Sequence, residues 1–132
     1  MKPVSNYRRT RIMTASPGEL LVMLYDGLLQ RVRSASKRMK ENDPGGAGEL
    51  LGRAQDILHE LINMLDRDKA PELVDSLSSL YEYCAHLLLT AVSEQDSSKL
   101  DEVYGLLRPL RDAWSKANQQ LREETSLAAV AG

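Results

Sequence analysis

Phenylalanine is absent from this sequence, cysteine occurs once, and aromatic residues make up 5% of its 132 residues. A core without phenylalanine must be filled by aliphatic side chains, and the 22 leucines suit helices better than sheets. An all-β fold is disfavoured from the outset. The single Cys84 has no partner in the chain for a disulfide. No amino-terminal segment joins basic residues to a long apolar stretch and a small-residue cleavage site, so the reducing cytoplasm is the expected compartment. The longest apolar run, Leu20 to Tyr25, has six residues, against the roughly 20 needed to span a bilayer. No membrane insertion is expected. What is present, 42% hydrophobic and 27% charged residues, is the composition of one soluble domain with one core.

The net charge of -2 conceals an asymmetry. Residues 1 to 40 hold nine Lys or Arg against two acids, and residues 41 to 132 hold eight against seventeen. Lys2, Arg8, Arg9 and Arg11, with Arg31, Arg33, Lys37, Arg38 and Lys40, have the sign to meet nucleic-acid phosphates. Two simpler roles compete: cations late in a helix favour the negative end of its dipole, and the acidic remainder offers partners within the chain. No nucleic-acid binding is expected.

Four segments carry helical periodicity. The first opens at Ser16-Pro17-Gly18-Glu19, where a serine cap, a proline at the first helical position and a glutamate three residues on form a capping box. Leu21, Tyr25, Leu28, Val32, Ala35 and Met39 then recur on one face to about residue 40. A turn-rich loop from Asn42 to Gly48 is expected to separate it from a second helix, about Glu49 to Asp66, with the stripe Leu51, Ala54, Leu58, Leu61 and Leu65. A third runs from about Pro71 to Ser93 through Leu77, Tyr81, Cys84, Leu88 and Ala91. A fourth, about Lys99 to Leu121, follows Gln95-Asp96-Ser97-Ser98 and carries Leu100, Val103, Leu107, Leu110, Trp114, Ala117 and Leu121. Pro109 interrupts it chemically, but the stripe keeps its phase, so a kinked single helix is preferred to two. Short connections between long helices predict an all-α, antiparallel four-helix bundle. A flexible arm of residues 1–15 precedes the bundle at 16–121, and residues 122–132 form a tail without a clear stripe, a candidate for disorder.

Catalytic chemistry is poorly represented. His59-Glu60-Leu61-Ile62-Asn63 lacks the second histidine of a helical zinc motif. The pairs Asp56/His59 and Glu82/His86 lie off the main apolar stripes, away from where a di-iron site would sit. The glycines at 45, 46 and 48 precede no phosphate-binding Lys-Ser or Lys-Thr. Cys84 sits on a core stripe and reads as a buried thiol. No enzyme activity, metal or cofactor is expected.

The informative feature is surplus apolar surface. Leu20 to Tyr25 is apolar all round the helix, Leu87, Leu88 and Leu89 repeat this on the third, and Ile57 and Ile62 widen the stripe of the second. Two adjoining core stripes would absorb part of it. The alternative is a groove that receives another apolar helix. The arm, with Tyr7, Ile12 and Met13 among arginines, has too little apolar content to fold alone.

Tyr7, then Thr14-Ala15-Ser16-Pro17-Gly18-Glu19-Leu20 and Met23-Leu24-Tyr25-Asp26-Gly27, resemble the amino-terminal signature of the flagellar secretion chaperone family FliS. Weaker similarity continues through Ala54-Gln55-Asp56-Ile57-Leu58, Leu80-Tyr81-Glu82-Tyr83 and Leu110-Arg111-Asp112-Ala113-Trp114. The resemblance implies a helical bundle of the bacterial cytosol. It implies a protein that binds the unstructured carboxy-terminal segment of flagellin, prevents premature polymerisation and delivers it to the flagellar type III export apparatus. It also implies a binding role for the arm, at Tyr7 and Ile12. Further candidates for the binding surface are Leu20, Leu24 and Tyr25 on the first helix, Ile57 and Leu61 on the second, and Tyr81 on the third. A generic helical adaptor, closing its apolar stripes in a weak homodimer, is the competing expectation.

Overall fold

The computed structural model describes residues 15 to 131, which form helices wherever the three-four apolar spacing runs. These are α1 (Pro17–Lys40), α2 (Pro44–Asn63), α3 (Pro71–Glu94) and α4 (Ser97–Ala131), with no strand among the described residues. The all-α fold is as expected. At α1 the Ser16 hydroxyl oxygen accepts from the Glu19 N–H at 3.2 Å and donates to the Glu19 carboxylate at 3.2 Å, so the capping box is built. The helix ends with Asn42 in the left-handed region (φ 60°) while the Asp43 N–H reaches back to the Arg38 carbonyl at 2.9 Å.

The expected loop from Asn42 to Gly48 is shorter than the glycines suggested. Asp43 caps α2 by accepting from the Gly46 N–H at 3.0 Å, and Pro44 takes the first helical position. Glycines cost a helix least in a first turn that is fixed by such a cap, and a β-carbon at Gly46 would collide with the Asp43 carboxylate. Ala47, inside the expected loop, is fully buried. At the other end of the bundle α3 starts at Pro71. It closes at left-handed Gln95, and Asp96 then caps α4 by accepting from the Ser98 N–H at 3.0 Å. This starts α4 two residues earlier than its spacing suggested.

The helices lie antiparallel in chain order, each against the next, with α4 back against α1. Three bonds set the α1/α4 register: the Asn118 amide donates to the Gly18 carbonyl at 2.7 Å, Arg111 meets Asp26 at 2.7 Å, and the Ser36 hydroxyl donates to Asp101 at 3.2 Å. A β-carbon at Gly18 would strike the Asn118 amide, so glycine permits this close crossing. At 1.5 Å per residue α4 is about 52 Å long and α1 about 36 Å. From residue 119 onward α4 therefore runs past the start of α1, and residues 119 to 130 are all exposed. The segment read as a tail is the end of this helix, which meets no breaker before Gly132.

One core joins the four helices. Leu28, Val32 and Ala35 of α1, Leu51, Ala54 and Leu58 of α2, Cys84 and Leu88 of α3, and Leu100, Val103 and Leu107 of α4 are all but inaccessible. Pro109 lies inside a continuous α4. It and Gly105, whose carbonyl it frees, both face solvent, so the freed carbonyl is not buried without a partner.

Candidate functional site

α1 sits close against α2 and α4, whereas α3 packs more loosely against both its neighbours. Apolar side chains therefore remain at the surface beside α3 although the core is complete. Leu73 is 50% exposed, Tyr83 46% and Leu106 37%. The Tyr83 hydroxyl donates to Glu102 across the α3/α4 seam. In the antiparallel arrangement this contact marks, Leu106 lies about one turn further along the seam, near the level of half-buried Leu80, and Leu73 lies nearly two turns beyond that. A second apolar zone lies at the end of the bundle where α1 begins. Leu20 to Leu24 are half-buried there, and Met64 and Leu121 are exposed.

Of the residues singled out from the sequence, Leu20, Leu24 and Ile57 are half-buried, and the last two rest against the core. Ile57 lies across Gly27, where a β-carbon would stand 3.5 Å from its terminal methyl. Tyr25, Leu61 and Tyr81 are at most 1% exposed and belong to the interior. Each lies on the stripe of its helix that faces the bundle axis, so these side chains shape the core and present no surface. Tyr7 and Ile12 lie outside the described residues. Leu73, Tyr83 and Leu106 were not singled out. Their only signal in the sequence is that each sits beside a core position, and such a side chain is covered or bare according to how closely the neighbouring helix packs.

Beneath this surface the Tyr25 and Tyr81 hydroxyls meet at 2.6 Å, with ring centroids 6.3 Å apart and planes inclined by 59°. The pair links α1 to α3 across the diagonal of the bundle. The Trp114 indole N–H is buried with no completed hydrogen bond among the described residues, though it stands near enough to the Tyr25 hydroxyl to favour its ionised form slightly. Burial is the larger influence and raises both tyrosine pKa values. Burial first, and then Glu102, pushes the Cys84 thiol up to about 12. The folded state thus holds these protons more tightly than the unfolded chain does. Their contribution to stability is complete below the ordinary thiol value of 9.0 and is lost as pH rises through the folded values. The melting temperature, followed by circular dichroism, is expected to fall progressively above about pH 9, and less steeply in Cys84→Ala. A flat alkaline profile for the parent would contradict this burial.

Among the described residues no group of three or more His, Cys, Asp or Glu is arranged to hold a metal, and no helix is long and apolar enough to cross a membrane. His59 and His86 are exposed.

An antiparallel four-helix bundle whose filled core leaves apolar side chains along α3 defines a class of small helical binding modules. Residues 1–121 match the family model described as flagellar protein FliS. The curated flagellar secretion chaperone FliS of Bacillus subtilis is 36% identical over 92% of this chain and 90% of its own length. That of Escherichia coli is 36% identical over 80% and 79%. A crystal structure described as a flagellar chaperone from bacteria superposes with a TM-score of 0.74, covering 90% of this chain and 99% of its own, at 22% identity. The chain belongs to the FliS family. Its relatives are chaperones by name, not enzymes.

Proposed function

We propose that this protein is a cytoplasmic export chaperone that binds the disordered carboxy-terminal segment of flagellin, prevents its premature polymerisation and delivers it to the flagellar export apparatus. The observation that carries the reading is the exposed apolar side chains along α3 and its seam with α4, above a core that is already complete. A disordered segment loses roughly 1 to 2 kcal/mol of backbone entropy per residue on ordering, so its capture requires a large apolar contact. An amphipathic helix laid into a groove beside a loosely packed helix provides one. Leu73 of α3 and Leu106 of α4 would contribute apolar contacts at different levels of the α3/α4 seam. Leu20, Leu24 and Ile57 extend the apolar surface on α1 and α2, and Tyr7 and Ile12 of the arm add contacts. Tyr25, Leu61 and Tyr81 act from below by holding the helices in place.

Calorimetric titration with a carboxy-terminal flagellin peptide tests this. The parent is expected to bind, and Leu73→Asp/Leu106→Asp to bind at least tenfold more weakly while its helical circular dichroism at the titration temperature is retained, because neither side chain belongs to the buried core. Equal affinity would remove the α3/α4 seam from the binding surface. A dimer in light scattering that persists with the peptide present would favour the homodimeric adaptor instead.

A further inference from the structure

On the opposite side of the bundle from α3, the α1/α4 face carries a groove of different chemistry. Its first part, about 500 Å³, is lined by Arg33, Lys37 and Lys40 of α1 and by Asp101 and Tyr104 of α4. Arg33 and Tyr104 also line a second part of about 340 Å³, which continues to Asp26, Arg108 and Arg111. We propose that this groove docks an acidic polypeptide segment, at a surface separate from the apolar one and independent of the reading given above.

The argument is one of unbalanced charge. Arg111 is neutralised by Asp26, with contacts of 2.7 and 3.3 Å, and Arg108 by Asp112 at 3.2 Å. The remaining carboxylate of the groove, Asp101, accepts from the Ser36 hydroxyl and makes no ion pair among the described residues. Against this one carboxylate stand three cations on successive turns of α1, Arg33, Lys37 and Lys40. Arg33 lies over the Tyr104 ring, 4.8 Å from its centroid, a contact that keeps its charge in place without cancelling it. Lys37 reaches only Glu41, at 3.9 Å and largely in solvent. Lys40 has no ion pair among the described residues. The helix dipole accounts for cations in the last turn of α1 but not for Arg33, two turns from its end.

The flanks limit what can occupy the groove. Glu41 lies just past Lys40 and Asp112 just past Arg111, so a long polyanion would run from the basic row onto carboxylates. From Asp26 to Lys40 the groove is about 21 Å long at the helical rise. An extended chain at about 3.3 Å per residue fills it with roughly six residues. A short run of Asp and Glu in a partner protein fits this length and sign, whereas a longer polyanion meets no further cation among the described residues just beyond either end.

Fluorescence anisotropy with labelled hexaglutamate tests the proposal, with hexaglutamine and a thymidine hexanucleotide as comparisons. At low ionic strength hexaglutamate is expected to bind, more weakly as salt is added, while hexaglutamine does not bind and the oligonucleotide binds less tightly. Lys37→Glu/Lys40→Glu is expected to weaken hexaglutamate binding at least tenfold. Arg8→Gln/Arg9→Gln/Arg11→Gln, which discharges the arm, should change it less than twofold. Should the charge reversal disturb folding, Lys37→Gln/Lys40→Gln takes its place. The proposal is overturned if hexaglutamate does not bind, if the lysine variant binds like the parent, if the arm variant loses binding, or if the oligonucleotide binds as tightly as the peptide.

Discussion

Leu28→Ala is expected to destabilise the protein by about 2 to 5 kcal/mol, lowering the melting temperature by roughly 10 °C. Leu28 is fully buried midway along α1, the helix packed most closely against its neighbours. Truncation there removes apolar contact and leaves a cavity, because α1 is tied at Gly18, Asp26 and Ser36 to residues of α4 and cannot settle inward. Chemical denaturation followed by circular dichroism measures the loss. A change under about 1 kcal/mol would mean that the site collapses freely, which the tied register argues against.

The tyrosine pair should behave unlike a simple apolar contact. Tyr81→Phe is expected to cost about 1 to 3 kcal/mol, since it strands the Tyr25 hydroxyl in the interior with its 2.6 Å partner gone and only the imperfectly aligned Trp114 N–H nearby. The double variant Tyr25→Phe/Tyr81→Phe is expected to recover much of that loss, because two phenyl rings leave no polar group unsatisfied. A double-mutant cycle measures the coupling. Additive losses would show that the hydroxyls do not depend on each other. Because the pair joins α1 to α3, and α3 flanks the proposed client groove, the single variant is also the more informative in flagellin-peptide titrations.

The extent to which the sequence foretold this structure differs from element to element. The start of α1 was legible because Ser16, Pro17 and Glu19 act within one turn and need nothing from the rest of the chain. The start of α2 was misplaced because the glycines at 45, 46 and 48 argued locally for a loop, whereas Asp43 capped the helix and Ala47 was buried. The length of α4 was underestimated because its stripe ends at Leu121 while helix propensity and the lack of a breaker carry it on to Ala131. The surplus of apolar side chains was evident, but its location was not. Tyr25, Leu61 and Tyr81 lie on axis-facing stripes and are interior rather than surface, whereas Leu73, Tyr83 and Leu106, each beside a core position, are exposed.

Periodicity and local capping determine that this chain makes four amphipathic helices, and its signature residues determine the family, since both act through neighbours a few positions apart. Which side chains end in the core and which stay outside was decided only by the tertiary structure. That outcome depends on how closely α3 approaches α2 and α4, and on the register that leaves α4 projecting past α1. Both are set by contacts between residues from 19 to 100 positions apart, such as Tyr83 with Glu102 and Gly18 with Asn118. The row of cations at the α1/α4 groove has the same origin, because Arg33 and Lys40 meet Tyr104 and Arg111 on one face only when the two helices are laid side by side.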